Sequence, residues 1–320
     1  MAADKKRASK KKTASSKKRG AAGGDSEDYN RSELRSADVP REGFVSGSTF
    51  DLKRIRYSAI RGLAIFEGDI IVGTVEQMEA LTGEHGDSDL PVSGIPVQPT
   101  PIEVRGIAIS GGEADEGQIA AAVAITGDRF RWPGRVVPYE IHPKLPRKNR
   151  VTEAIKHWED KTSICFVKRT KTNAAKYPNY VSFEAQNGCF SQVGMRGGKQ
   201  VISLGEGCER GQAIHEIGHA VGLWHEQSRE DRATFVRVVW ANIQAGREHN
   251  FDQHIADGDD IGPYDYGSIM HYPALAFSRN GQPTLIPIKA GAQIGQRDGL
   301  SKGDIAAVET IYRKVKPAKP

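Results

Sequence analysis

The chain has 320 residues, 38% hydrophobic and 27% charged, which is room for one large or two modest domains with a real apolar core. No apolar run approaches the ~18 residues a membrane-spanning helix needs, and three cysteines are too few for a disulfide scaffold. The formal charge of +5 is unevenly placed: residues 1–20 hold nine of the 45 Lys and Arg side chains against a single acid, Asp4, so the rest of the chain is slightly acidic.

Residues 1–50 are polar, charged and rich in Gly and Ser, and read as a disordered tail with too little apolar surface to offset the entropy of ordering. Such a tail stays solvated or touches nucleic acid through phosphate contacts, and the latter is not read as the main function. Its positive charge is not followed by an apolar stretch, so it lacks the pattern of a signal peptide. From Ile55 the composition changes. Ala64-Ile65-Phe66 and Ile70-Ile71-Val72 are short β-favouring runs separated by the turn-like Glu67-Gly68-Asp69. Residues 80–120, with many Gly, Pro and acids, look like a linker. A compact domain begins near Val123. Val136 to Ile141 reads as a strand, which Pro138 would keep short or at an edge. Val151 to Lys161 reads as a helix, with Val151, Ala154, Ile155 and Trp158 at helical spacing. Tyr180–Phe183 and Val201–Leu204 alternate as strands do, Gly211 to Gly222 is a second helix, and Lys302 to Tyr312 is a last one. Strands and helices before residue 222 and mostly irregular chain after it suggest an α+β fold of two lobes flanking a cleft.

The chemistry lies in His215-Glu216-Ile217-Gly218-His219-Ala220-Val221-Gly222-Leu223-Trp224-His225-Glu226. Two histidines four apart on a helix share one face, so their imidazoles can converge on a single Zn²⁺. Glu216 can face the open side of that metal and accept a proton from bound water. Gly222 suits an abrupt helix end that needs positive φ, after which the chain can swing back and supply His225 as a third ligand. Three imidazoles leave one tetrahedral position open, as in a catalytic site. A bare His-x-x-x-His pair is expected by chance about 0.25 times in a chain with nine histidines, whereas the full pattern falls to roughly one in ten thousand.

This pattern, followed by Ser268-Ile269-Met270-His271-Tyr272, resembles the metzincin zinc endopeptidases. Glu226 directly after the third histidine and Tyr272 after Met-His resemble the astacin family. The resemblance runs from about Trp132 to Tyr312. It includes Trp132-Pro133, Val137-Pro138-Tyr139, Gly188-Cys189-Phe190-Ser191, Gly197-Gly198-Lys199-Gln200, Gln227-Ser228-Arg229, Tyr264-Asp265-Tyr266-Gly267-Ser268 and Ile294-Gly295-Gln296-Arg297. It implies a metzincin-type zincin with a mixed sheet and the active-site helix in the N-terminal lobe, acting as a zinc endopeptidase on protein or peptide substrates. It also implies that His215, His219 and His225 hold one Zn²⁺ per chain and that Glu216 is the general base. Tyr272 would be an additional ligand that swings to stabilise the oxyanion. Met270 would form an apolar floor under the metal, and Glu226 would join the new N-terminus after activation.

Phe66-Glu67-Gly68-Asp69 resembles the family's latency motif, in which the aspartate, here Asp69, takes the catalytic water site. The expected organisation is therefore a tail (1–50), a pro-segment with linker (51–122), a catalytic domain (123–316) and a short end (317–320). A monomer is expected. Cys189 and Cys208 match one family disulfide. Ser163 and Lys314 stand where the cysteines of a second are expected, leaving Cys165 an unpaired, buried thiol. Resemblance implies secretion, which the lost bridge and the missing signal pattern do not support. Arg297 would lie near the primed-side pocket and favour an acidic residue after the scissile bond. Its alternative is a structural ion pair.

Overall fold

A computed structural model of the chain describes residues 33–37, 39–45, 52–85, 120–254 and 257–318. The basic run at 1–20 and most of the expected linker lie outside these. Strands β1 (Arg41–Val45), β2 (Lys53–Ile60), β3 (Leu63–Phe66) and β4 (Ile70–Thr74) form an antiparallel sheet in chain order, and helix α1 (Val75–His85) follows. The tail expected through residue 50 thus gives way to structure by residue 33. Phe44 is fully buried and β1 pairs with β2 along its whole length, so tertiary pairing overrides a weakly β-favouring sequence.

Strand β5 (Ala122–Ile125) opens the main body, followed by β6 (Val136–Ile141), helix α2 (Asn149–Lys161), β7 (Cys165–Lys168), β8 (Tyr180–Glu184), β9 (Cys189–Phe190) and β10 (Lys199–Leu204). The five-stranded sheet runs β7-β6-β8-β10-β9, parallel except for β9. Strand β6 lies inside this sheet, contrary to the edge position that Pro138 suggests. Its ladder with β8 begins only at Tyr139, so the proline costs that ladder no donor. Val151, Ala154, Ile155 and Trp158 of α2 are buried as their spacing predicts.

Helix α3 (Arg210–Val221) is buried on every side. The indoles of Trp158 and Trp132 donate to the carbonyls of Ile214 (3.0 Å) and Ala220 (2.8 Å), fixing the helix against the core. The Cys189–Cys208 disulfide ties β9 to the segment entering α3. Beyond α3 the described chain is mostly irregular. It holds β11 (Val236–Val238) paired with β13 (Leu285–Pro287), β12 (Gly258–Ile261) paired with β5, and helix α4 (Lys302–Ile311). On α4, Val308 is buried with the adjoining Tyr312, while Ile305 and Ile311 are only half-buried. Tyr312 receives the Trp132 N–H (3.2 Å) and donates to Val221 O (3.0 Å), returning the C-terminal helix to the first lobe.

Candidate active site

Three local devices bring the histidines together. Helix α3 stacks His215 and His219 on one face. Gly222 ends the helix with φ of 120°, a left-handed value that a side chain would strain. His225 then comes back to the same point. Each ring has its Nδ1 engaged: His215 with Ile269 O (2.9 Å), His219 with Leu223 O (2.8 Å) and His225 with a Glu67 carboxylate oxygen (2.7 Å). These partners accept Nδ1–H and leave the three Nε2 lone pairs facing one another, the tautomer a metal ligand requires.

The fourth donor comes from upstream. Asp69 Oδ2 lies 3.3 Å from His215 Nε2 and 3.2 Å from His225 Nε2, and its Oδ1 is 3.6 Å from His219 Nε2. All four ligand atoms lie within 4.8 Å of one another and all four side chains are buried. Three neutral imidazoles and one carboxylate fit a tetrahedral Zn²⁺. The backbone delivers the aspartate: Ser191 N donates to Asp69 O (2.9 Å) and Ile71 N to Ser191 O (2.7 Å), so the turn after β3 is docked on the edge of the main sheet.

Glu216 is buried, and neither of its carboxylate oxygens has a hydrogen-bond partner among the described residues. Burial, reinforced by the nearby charges of Asp69 and Glu33, raises its pKa well above the carboxylate range, against the pull of Arg297. Met270 packs under α3 at Gly218, where a Cβ would meet its sulfur at 2.6 Å, so a larger residue there would displace the methionine. The Tyr272 hydroxyl donates to Glu67 O (2.5 Å), with its ring beside that of His225. Glu226 is buried and accepts from Asp265 N (2.8 Å). Arg229 lies 3.9 Å away. Arg297 lies over Ile269 and His271, donating to both carbonyls, and pairs with Glu33 (2.7 Å).

The family model for astacin peptidases matches residues 124–313. The chain belongs to the astacin family. Among curated relatives it is 40% identical over 194 residues to zinc metalloproteinase nas-13 of Caenorhabditis elegans, covering 59% of this chain and 42% of that one. It is 44% identical over 187 residues to zinc metalloproteinase nas-15 of the same organism, covering 57% and 32%. It therefore spans less than half the length of these relatives. Among solved structures it resembles high choriolytic enzyme 1, a hatching enzyme zinc-protease from Oryzias latipes, with a TM-score of 0.51 and 36% identity over 56% of this chain and 89% of that one. The architecture is accordingly the α+β metzincin fold.

Ser163, one of the two positions where the resemblance expects a further cysteine, is held by polar contacts. Ser163 donates its amide and hydroxyl to Glu309 (2.6 and 2.8 Å), and Arg135 binds Ser163 Oγ (2.6 Å) and Val315 O (2.9 Å). Cys165 is free and half-buried, less enclosed than expected, because it sits on edge strand β7. Sequence reasoning did not single out Glu67, which accepts from His225, Ser228 (2.6 Å) and His254 (3.0 Å), although Glu67 and Ser228 stand inside motifs it quoted. It also passed over Glu33, Gln212 and His254, which carry no local pattern.

Proposed function

We propose that this astacin is a zinc-dependent endopeptidase held latent by its own upstream segment, with residues 33–85 acting as pro-segment and the chain from about Val123 as catalytic domain. The observation that carries the reading is the convergence of three Nε2 atoms and the Asp69 carboxylate beside an unpartnered Glu216. When bound, zinc supplies a Lewis acid that polarises the scissile carbonyl and lowers the pKa of water. Asp69 fills the position a substrate or water would need.

Once the segment leaves, Glu216 loses the neighbouring charges of Asp69 and Glu33, which raise its pKa, and ionises more readily, so its carboxylate oxygens are free to accept a proton. It takes the proton of the attacking water and passes it to the leaving amide nitrogen. The Tyr272 hydroxyl, released from Glu67 O, turns to donate to the developing oxyanion. Met270 keeps the floor beneath the histidines apolar, and Glu226 receives the new N-terminus. Arg297 favours an acidic residue just after the scissile bond. Substrates are proteins or peptides.

The test is hydrolysis of an unstructured protein by full-length chain, proteolytically processed chain and a processed Glu216→Ala control, with zinc content measured for each. Chelator-sensitive cleavage by the processed wild type, with little from the full chain, is expected. A processed chain that holds one zinc and cleaves nothing would overturn the peptidase reading.

A further inference from the structure

Arg297 belongs to an assembled site whose other members come from α3 and from residue 33. Its guanidinium is held by the carbonyls of Ile269 (2.8 Å), His271 (3.1 Å) and Gln296 (2.8 Å), so it is oriented before any ligand arrives. Ile269 O also holds His215 Nδ1, which places the guanidinium one carbonyl away from a zinc-ligand histidine. On the other side stands Gln212, one turn before His215. Its Oε1 accepts the Glu209 N–H (3.0 Å) at the start of α3. With the oxygen committed to that donor, its Nε2 faces outward and donates to Glu33 Oε2 (3.1 Å). The other oxygen of Glu33 takes Arg297 Nε at 2.7 Å and lies 2.5 Å from NH2. Glu33 is fully buried, the next residue Leu34 packs in the cluster of Tyr272 and Phe277, and Arg35 N donates to Gly68 O (2.8 Å) beside Asp69. A buried carboxylate is tolerated only where charge and hydrogen bonds meet it on each side, and both are present here.

We propose that Gln212 and Arg297 together form a carboxylate subsite beside Glu216, and that Glu33 fills it in the precursor in place of an acidic substrate side chain. This rests on the peptidase reading. It adds Gln212 as a second specificity-determining residue and gives the upstream segment two anchors, one on the ligand set and one on the subsite. Lys at 212 would repel Arg297 and Leu would lose both hydrogen bonds. Glu at 212 keeps the acceptor that Glu209 N–H needs and presents a second carboxylate to an incoming one.

The test uses the zinc-loaded full chain as wild type, Glu33→Gln and Gln212→Glu, with thermal unfolding to verify folding. Amide exchange is followed at Arg35 and Ile71. Hydrolysis of an unstructured protein is measured before processing. After limited proteolysis, peptide pairs with Glu or Gln after the scissile bond are compared. Glu33→Gln should speed exchange at Arg35 about tenfold, leave Ile71 protected, and raise cleavage by the unprocessed chain about tenfold. Gln212→Glu should do the same and lower the Glu-over-Gln selectivity of the processed enzyme about tenfold. Unchanged Arg35 exchange in both variants would overturn the anchor, and unchanged selectivity in Gln212→Glu would overturn the subsite. If processed wild type cleaves no peptide, the peptidase reading fails, while Arg35 exchange still decides whether Glu33 is clamped.

Discussion

The catalytic body and the upstream segment are held in different ways. The body is built on an apolar core running from Trp132 and Val137 through Trp158, Phe183, Ile214 and Ile217 to Val308 and Tyr312, with Ile269 and Met270 at its cleft side. The segment also contributes apolar contacts: Ile55, Tyr57, Phe66, Ile70 and Met78 pack against Val123, Ile125, Phe130 and Trp224. What it inserts into the cleft, however, is three buried acids, Glu33, Glu67 and Asp69, each facing histidines or an arginine. Apolar contact is tolerant of register, whereas a buried carboxylate displaced from its partner is heavily penalised. The acids therefore dictate where the segment seats, and in the proposed activation their departure would open the site without disturbing the core that shapes it.

The comparison breaks most visibly at two positions of opposite role. Glu216→Ala should lower kcat of the processed chain about a thousandfold with zinc content unchanged, since it removes a proton acceptor and no ligand. Loss of zinc from that variant would make Glu216 a structural residue of the body. Asp69→Ala should act on the segment alone, raising cleavage by the unprocessed chain about a hundredfold by removing one of the four donors. An unprocessed variant as silent as wild type would mean that the apolar contacts suffice for latency.

Much of the body was legible because its signals are local. The α2 face, the alternation of β8 and β10, and the histidine spacing on α3 each follow from periodicity within a dozen residues. Helix α1 was not: among its described side chains, residues 75–84, only Met78 is fully buried, so no apolar stripe marks it. Pro138 misled because the rule for proline in sheets concerns a particular ladder, and that ladder begins one residue later. Glu33 and His254 were illegible for a different reason. The partners of Glu33 lie 179 and 264 residues away and the Glu67 that His254 meets lies 187 away, and a single acid in a polar tail has no period to betray it.

A milder perturbation acts on the body alone. The Cys189–Cys208 bridge has a sequence separation of 19, and replacing both cysteines with Ala should cost about 3 kcal/mol, lowering Tm by about 10 °C in thermal unfolding. Latency of the unprocessed chain should persist, because none of the three acids touches this bridge. Leakage in that variant would show that the disulfide positions the β9 edge on which Ser191 holds the Asp69 turn.

The smallest expected effect sharpens the junction itself. His254 donates from Nε2 to Glu67 (3.0 Å) and from Nδ1 to Asp257 (3.1 Å), and a ring that donates from both nitrogens is an imidazolium. Burial against Trp224 opposes that charge, yet the two carboxylates outweigh it and push the pKa up to about 9, while Glu67 falls to about 2. The histidine pKa in the folded precursor thus exceeds its ordinary 6.5. Its stabilisation is complete below about pH 6.5 and is lost as pH rises through about 9. Thermal unfolding of zinc-loaded precursor should register a loss of order 2 kcal/mol across that window, and His254→Gln should flatten the slope. The processed chain, lacking Glu67, should show a shallower slope than the precursor, because one of the two carboxylates has left with the segment. Equal slopes for precursor and variant would mean that the ring is neutral and donates to only one of the two carboxylates.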